Sequence, residues 1–243
     1  MKAIVNSFLI AFSIYSEIPM LKVKRTKENM KYVLCFFPLT GIIVGVLLYA
    51  FSHFVQYFGL GQICFALIGT VIPILATGGI HMDGFLNTMD ALCSHEKNEK
   101  KVTAAVAYFM LYAGGLVLVW QEKQLLLLVL GYVLSRIMSA MAIVWFPSAG
   151  RDDTLFILSS SAHKSIVKAV LILFVVLVSL ACIAISPIMG VLQVLLCFWI
   201  LTYYYYMSKR KFGGITEDLA GYFLSVCELG VVLYLGIFGR IFL

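Results

Sequence analysis

The sequence predicts an all-α membrane protein, a polytopic transmembrane helix bundle of about seven spans with a polar site on its cytoplasmic face. The 243 residues are 62% hydrophobic and only 12% charged, with a mean hydropathy of +1.00, whereas soluble domains average about 45–50% apolar and about 25% charged residues. The apolar residues extend over the whole length, which excludes a soluble enzyme with one anchor, a disordered chain and a secreted disulfide scaffold. We therefore treat residues 1–243 as a single integral-membrane domain.

The spans follow from the length of the apolar windows, because a membrane-crossing helix needs about 17–25 mostly apolar residues. Seven windows meet this requirement: 33–58, 63–80, 104–120, 124–146, 166–186, 188–207 and 222–238. The segment 3–19 is short and ends at Glu17 and Pro19. The sequence leaves open whether this segment crosses the membrane, re-enters it or lies in the interface.

The basic residues assign the loops to the two sides of the membrane. The segments 20–31, 81–101, 146–168 and 208–213 hold fourteen Lys and Arg residues, and the alternate loops hold only two. This distribution is a strong positive-inside signal, so we expect a multi-pass protein of the cell (inner) membrane with its long loops in the cytoplasm. It also accounts for the net charge of +6 without a nucleic-acid partner.

Most carboxylates lie in or beside the same cytoplasmic segments. A transporter would instead place polar groups along a path near the bilayer midplane. The pattern therefore favours an enzyme that acts on an anionic or metal-bound cytoplasmic substrate.

The first candidate site is the segment Gly78–Asp90, which reads Gly-Gly-Ile-His-Met-Asp-Gly-Phe-Leu-Asn-Thr-Met-Asp. In a helix that begins near residue 83, Asp83, Asn87 and Asp90 share one face at positions i, i+4 and i+7. Such oxygen ligands suit Mg²⁺, which binds one or two carboxylates plus substrate phosphates. The structural alternative is a solvated polar face with Asp83 as a helix cap. His81 is a candidate phosphate contact or proton carrier.

A second candidate site, Gly213–Gly221, lies just before the last predicted span and repeats the pattern Gly-Gly-Ile-x-x-Asp of the first. Thr216 and Asp218 add a hydroxyl and a carboxylate at the cytoplasmic face. A glycine-lined turn is the structural alternative for this segment.

Two charged residues, Arg136 and Glu228, lie inside predicted spans. Charged groups are costly in lipid, so both should face protein or water. They either form a structural ion pair, or Arg136 binds a substrate phosphate through its planar guanidinium. Arg151 adds a further cation in the loop that follows residue 146.

These motifs resemble those of the cobalamin synthase family, the adenosylcobinamide-GDP ribazoletransferases. The family pattern Gly-Gly-x-His-x-Asp-Gly-x-x-Asp-Thr-x-Asp runs through Gly78–Asp90. The late pattern Gly-Gly-x-Thr-Gly-Asp-x-x-Gly, followed by a Glu, runs through Gly213–Gly221 and Glu228. Ser135-Arg136 and the segments 17–19 and 37–41 fit as well, so the resemblance covers most of the chain.

The resemblance implies a Mg²⁺-dependent phosphotransferase that joins adenosylcobinamide-GDP to α-ribazole or its phosphate and releases GMP, in the last steps of cobalamin biosynthesis. Phosphoryl transfer needs positioning and charge neutralisation more than covalent chemistry, which suits a carboxylate cluster at one face. Beyond the substrates and the lipid bilayer, a homo-oligomer or other membrane proteins of the cobalamin pathway are expected partners.

The implied site residues fall into three groups. The metal ligands are Asp83, Asn87 and Asp90. The catalytic residues are Asp83, His81 and Asp218. The substrate-binding residues are Arg136, Thr216, Arg151 and Glu228.

The chain departs from the family pattern at several positions. Asn87 stands where the family usually has Asp, Glu217 stands where it has Gly, and Asp153-Thr154 stands where it has Gly-Leu. A Lys-Asp-Ser-Arg-x-Gly-like segment that usually follows the position of Lys101 looks deleted. Loss of a carboxylate at position 87 weakens the expected Mg²⁺ site, because an amide offers oxygen without charge.

Three other interpretations stay open at this point. The first is a diverged, inactive paralogue that acts as a membrane assembly partner. The second is a CDP-alcohol-type phosphotransferase, which also uses spaced aspartates but would need an Arg between them, and residues 83–90 contain none. The third is a transporter.

Overall fold

The computed structural model describes residues 2–21, 23–93, 99–150 and 154–242. That part of the chain forms ten helices: α1 (Lys2–Tyr15), α2 (Val33–Tyr57), α3 (Gly61–Thr77), α4 (Ile80–Leu92), α5 (Glu99–Leu118), α6 (Glu122–Trp145), α7 (Thr154–Ser161), α8 (Lys164–Ile185), α9 (Pro187–Phe212) and α10 (Glu217–Phe242). The predicted all-α class is confirmed, since the described residues contain only one isolated β-bridge, between Ser148 and Ile215.

Six of the described helices are long and apolar enough to cross a membrane, namely α2, α5, α6, α8, α9 and α10. The predicted span 63–80 instead ends at Thr77, and α4 continues from it at an angle of 97°. The break follows from Gly78 and Gly79, which adopt left-handed φ values of 66° and 73° that glycine tolerates without a steric cost. With the bent pair counted as one span, the total is seven.

Helix α6 forms the centre of the bundle, with 83% of its apolar window buried. Helix α2 packs closely against it at Gly41 and Gly45. A Cβ atom on Gly41 would lie 2.6 Å from the backbone oxygen of Tyr132, and one on Gly45 would lie 2.8 Å from the Cα of Val129. Small residues spaced in this way let helix backbones approach within a membrane, where lipid provides no hydrophobic driving force between helices.

The loops predicted to share one side of the membrane meet at one end of the bundle, which we call the loop end. The Ile215 N–H donates to the backbone oxygen of Pro147 at 2.8 Å, and the Ala149 N–H donates to that of Ile215 at 3.0 Å. The His163 N–H likewise donates to the backbone oxygen of Lys31 at 3.0 Å. These hydrogen bonds join the loop at Pro147 to the loop at Ile215, and the loop at His163 to the loop at Lys31.

Helix α1 lies across the loop end. Its 14 residues extend only about 21 Å, which is too short to cross the hydrocarbon core. The Tyr15 ring stacks on Phe37, in the first turns of α2, with centroids 3.9 Å apart. The Glu17 N–H donates to the backbone oxygen of Ala76, at the end of α3, at 3.1 Å. Of the alternatives for residues 3–19, the length of α1 opposes a membrane-crossing helix.

Candidate active site

Two glycines bring the two candidate segments together at the loop end. A Cβ atom on Gly84 of α4 would lie 2.7 Å from the backbone oxygen of Asp218, and one on Gly221 of α10 would lie 3.0 Å from that of His81. Any larger residue at either position would push the helices apart. This close approach places Asp83 and Asp218, which are 135 positions apart in the chain, on facing helices.

Asn87 connects the two carboxylates. Its Nδ2 donates to Oδ2 of Asp83 at 3.3 Å and to Oδ1 of Asp218 at 3.2 Å. Its Oδ1 accepts a hydrogen bond from Nζ of Lys101, in the first turn of α5, at 3.0 Å. The residue that departs from the family pattern therefore bridges two anions and one cation, and a neutral amide is well suited to that arrangement.

An open cleft lies beside this group and is lined by Ile80, Asp83, Thr216, Glu217 and Asp218. We call it the carboxylate cleft. All three of its carboxylate side chains are exposed. Oγ1 of Thr216 accepts a hydrogen bond from the Leu219 N–H at 3.2 Å, so its hydroxyl caps the start of α10 in the usual manner of a helix N-cap.

The donor set of the cleft fits Mg²⁺. Asp83 and Asp218 offer two carboxylates, and Mg²⁺ binds one or two carboxylates and completes its shell with water and phosphate oxygens. The Asn87 amide presents its nitrogen to both carboxylates and its oxygen to Lys101. The described residues contain no group of three His, Cys, Asp or Glu side chains arranged for a metal, so the fit depends on the two carboxylates and on phosphate oxygens of the substrate.

Asp90 lies apart from this group. It is two turns beyond Asp83 on α4, about 10 Å along the helix axis, and its buried Oδ1 has no hydrogen-bond partner among the described residues. Hydrogen bonds connect Asp83 and Asn87 with Asp218, and the place of Asp90 in the expected metal site stays a prediction.

Of the two alternatives for Arg136 and Glu228, the structure shows the ion pair, which lies within the bundle below the cleft. Nη1 of Arg136 donates to Oε1 of Glu228 and also to Oγ of Ser135 at 2.8 Å. The two charged residues are only 1% and 6% exposed. Nε and Nη2 of Arg136 have no hydrogen-bond partner among the described residues, so the guanidinium retains free donors.

His81 lies between the ion pair and the loop end. It lines a small cavity together with Arg136 and Glu228, and also a second, mainly apolar cavity together with Tyr15 and Phe37. Its Nε2 is buried without a hydrogen-bond partner among the described residues. Arg151, another expected site residue, falls outside the part of the chain that the structure describes.

Two residues near the cleft could not be identified as site residues from the sequence. In the sequence, Lys101 is one of several basic residues in a charged loop. Only its position directly before an apolar window indicates that it lies near the start of a helix. Tyr15 lies in the segment whose placement the sequence left open. Burial and, secondarily, the Glu217 carboxylate raise the pKa of the Tyr15 phenol, so this side chain is a neutral group beside the cleft.

Comparisons with known proteins agree with the motifs. The family model described as Cobalamin-5-phosphate synthase matches residues 7–236. A protein of Lachnoclostridium phytofermentans named adenosylcobinamide-GDP ribazoletransferase is 34% identical, over 94% of this chain and 96% of its own length. Proteins with the same name from Clostridium perfringens and Treponema denticola are 23% and 27% identical, over 98% and 93% of this chain and 100% and 96% of their own lengths. No solved structure matches the chain.

Proposed function

The chain belongs to the cobalamin-5-phosphate synthase family, and on that premise we propose that it is an active adenosylcobinamide-GDP ribazoletransferase. In this reaction a ribose hydroxyl of α-ribazole, or of its phosphate, attacks the phosphorus next to the cobinamide. A new P–O bond forms, the P–O bond to GMP breaks, and the hydroxyl proton is released. The products are adenosylcobalamin, or its phosphate, and GMP.

The observation that carries this proposal is the meeting of Asp83 and Asp218 through Asn87 at an open cleft. A carboxylate in such a cleft can accept the proton of an attacking hydroxyl. The second carboxylate can hold a cation against the diphosphate. Because both helices are packed through glycine contacts, these groups are held on rigid elements, as positioning in phosphoryl transfer requires.

Mg²⁺ would be held by the Asp83 and Asp218 carboxylates, and when bound it supplies charge neutralisation for the diphosphate. Lys101 adds a fixed positive charge on the other side of Asn87. We assign Arg136 and Glu228 a supporting role, since the pair is buried beneath the cleft and keeps α6 and α10 together.

The loop end is the cytoplasmic end in this proposal. The basic residues concentrate in the loops that meet there, as the positive-inside rule expects of a multi-pass protein of the cell membrane. The carboxylate cleft therefore opens towards the cytoplasm, where a nucleotide-linked substrate is accessible.

Product formation by membranes that contain the protein tests the proposal. The membranes are incubated with adenosylcobinamide-GDP, α-ribazole and Mg²⁺, and GMP and the cobamide are quantified. We expect stoichiometric formation of both products. We expect Asp83→Asn and Asp218→Asn each to lower kcat by about 10²–10⁴-fold, the usual range for loss of a proton-transfer group.

Glu122→Gln is the matched control, because it is the same carboxylate-to-amide change in a residue that contacts Tyr49 and His53 at the opposite end of the bundle. It should retain wild-type activity. A folded wild-type protein that forms no product under these conditions would contradict the proposal and favour the inactive, assembly-partner alternative. Full activity of Asp83→Asn would contradict the assignment of the site.

A further inference from the structure

The small cavity beside Arg136 and Glu228 is lined from α3, α4, α5, α6 and α10, and we call it the polar cavity. Unlike a cavity between apolar helix faces, it has both members of the buried ion pair in its wall. Its polar lining residues are Thr77, His81, Tyr108, Arg136, Ser225 and Glu228. A polar cavity inside a helix bundle can hold water, whereas an apolar cavity of similar size stays dry.

The Arg136 guanidinium is the reason to expect a ligand in the polar cavity. Its Nη1 donates to Glu228 and to Ser135, whereas Nε and Nη2 are buried without a hydrogen-bond partner among the described residues. The side chain is only 1% exposed and lies on α6, inside a candidate span. A buried donor of a charged group carries its full desolvation cost while it stays unpaired, so these N–H groups require an acceptor.

The size of the polar cavity limits what that acceptor can be. Its accessible volume is about 20 Å³, and a bound water molecule needs about 10–15 Å³. A phosphate group or an aromatic ring is larger than this space. Water also suits the charges, because it can accept from the guanidinium and donate to the Glu228 carboxylate at the same time. An anion would instead be repelled by that carboxylate.

We propose that the polar cavity binds an ordered water molecule, held by the free N–H groups of Arg136 and by an acceptor in the cavity wall. Buried waters of this kind usually make about 2–4 hydrogen bonds to polar groups. The bound water lets the Arg136–Glu228 pair stay charged inside the bundle, since charged residues within spans are tolerated where they face one another or water. His81 lines both this cavity and the mainly apolar cavity beside Tyr15, and its imidazole is therefore not assigned to the water.

Thr77 provides the test, because it lines the polar cavity from the end of α3. Thr77→Ile replaces the hydroxyl by an ethyl group, which occupies the space of the water and leaves the Arg136 donors unpaired. The same change is made in the background Arg136→Met/Glu228→Leu, in which the wall carries no charge; such apolar replacements of a buried ion pair are often neutral or stabilising. We expect Thr77→Ile to lower the equilibrium constant for folding about tenfold more in the wild-type background than in the apolar one.

Thr70→Ile is the matched control. Thr70 lies on the same helix, two turns before Thr77, and both hydroxyls donate to the backbone oxygen four residues earlier, at 2.7 and 2.8 Å. Both side chains are buried, and Thr70 is outside the lining of the polar cavity. Thr70→Ile should therefore lower the folding constant by the same factor in both backgrounds. Equal effects of Thr77→Ile in the two backgrounds, or a tenfold difference for Thr70→Ile as well, would overturn the proposal.

A crystal or cryo-EM map of the wild-type protein that resolves ordered water keeps the proposal testable if a variant does not fold. We expect density in the polar cavity at about 2.7–3.2 Å from Nε or Nη2 of Arg136. A map with ordered water elsewhere in the protein and none at these nitrogens would overturn it. Neither measurement depends on product formation, so the hydration of the ion pair and the transferase activity are tested separately.

Discussion

Replacing Asn87 by Asp tests the electrostatics of the carboxylate cleft. In the wild-type protein the Asn87 amide donates to Asp83 and Asp218 at 3.3 and 3.2 Å and accepts from Lys101 at 3.0 Å. The variant loses the two donated hydrogen bonds and places three carboxylates next to one another. It should therefore be less stable than the wild-type protein until a cation is bound.

The size of the effect follows from these contacts. Two hydrogen bonds contribute about 0.5–1.5 kcal/mol each, and the low end applies here because Asp83 and Asp218 are exposed. The new charge adds two repulsions and one attraction to Lys101, a net cost of about 1 kcal/mol for charges about 4 Å apart near water. The sum is about 2 kcal/mol, or about 4–8 °C in the unfolding midpoint of a chain of this length.

Thermal unfolding of the solubilised protein, in chelator and in saturating Mg²⁺, measures this effect. Asn87→Asp should unfold about 4–8 °C below wild type in chelator, and Mg²⁺ should remove most of that difference. Asn87→Ala, the control, loses the hydrogen bonds without adding charge, so Mg²⁺ should raise its midpoint no more than that of wild type. An Asn87→Asp variant as stable as wild type in chelator, or a difference that Mg²⁺ does not change, would refute the reasoning.

Three further predictions concern other contacts. Arg136→Met and Glu228→Gln should each destabilise the protein by about 3–5 kcal/mol, because each leaves one buried charge unpaired; the double variant should lose less than the sum, and additive unfolding midpoints would exclude the pair. Gly84→Ala should lower the free energy of unfolding by about 1–3 kcal/mol and should lower kcat, because its Cβ would lie 2.7 Å from a backbone oxygen of α10. The control Gly114→Ala, whose Cβ would have no atom within 4 Å, should be neutral or stabilising in the same unfolding and activity assays. Lys101→Gln should raise the KM for adenosylcobinamide-GDP at low ionic strength and reduce its salt dependence, since a cation beside the cleft is lost; an unchanged KM in steady-state kinetics would remove Lys101 from the site.

For the motif at Gly78–Asp90, the spacing of residues along the chain predicted part of the local structure. The spacing of Asp83 and Asn87 predicted one helix face, and α4 has that face. The predicted span ended at residue 80, and the helix ends at Thr77, where the chain turns by 97° at the two glycines. The apolar composition of residues 63–80 gives no measure of this turn. The left-handed conformation of Gly78 and Gly79 accompanies the packing of α4 against α10.

For the Arg136–Glu228 pair too, the sequence predicted one part of the arrangement and the tertiary structure decided the other. The cost of charge in lipid predicted that both residues face protein, and the alternative of a mutual pair could be stated from sequence. That the pair forms 92 positions apart depends on α6 and α10 being neighbours. No pattern within either helix specifies which helix lies next to it.

The sequence by itself determined the membrane class, the approximate spans, the concentration of basic residues in alternate loops and the motifs, because hydrophobic length, charge distribution and residue identity are local properties of the chain. The tertiary structure alone decided that Asp218 joins Asp83 and Asn87, that Lys101 contacts Asn87, and that α1 and α7 line a cavity beside them. These are contacts between distant segments, and they follow from which helix backbones can approach at glycine rather than from any spacing along the chain.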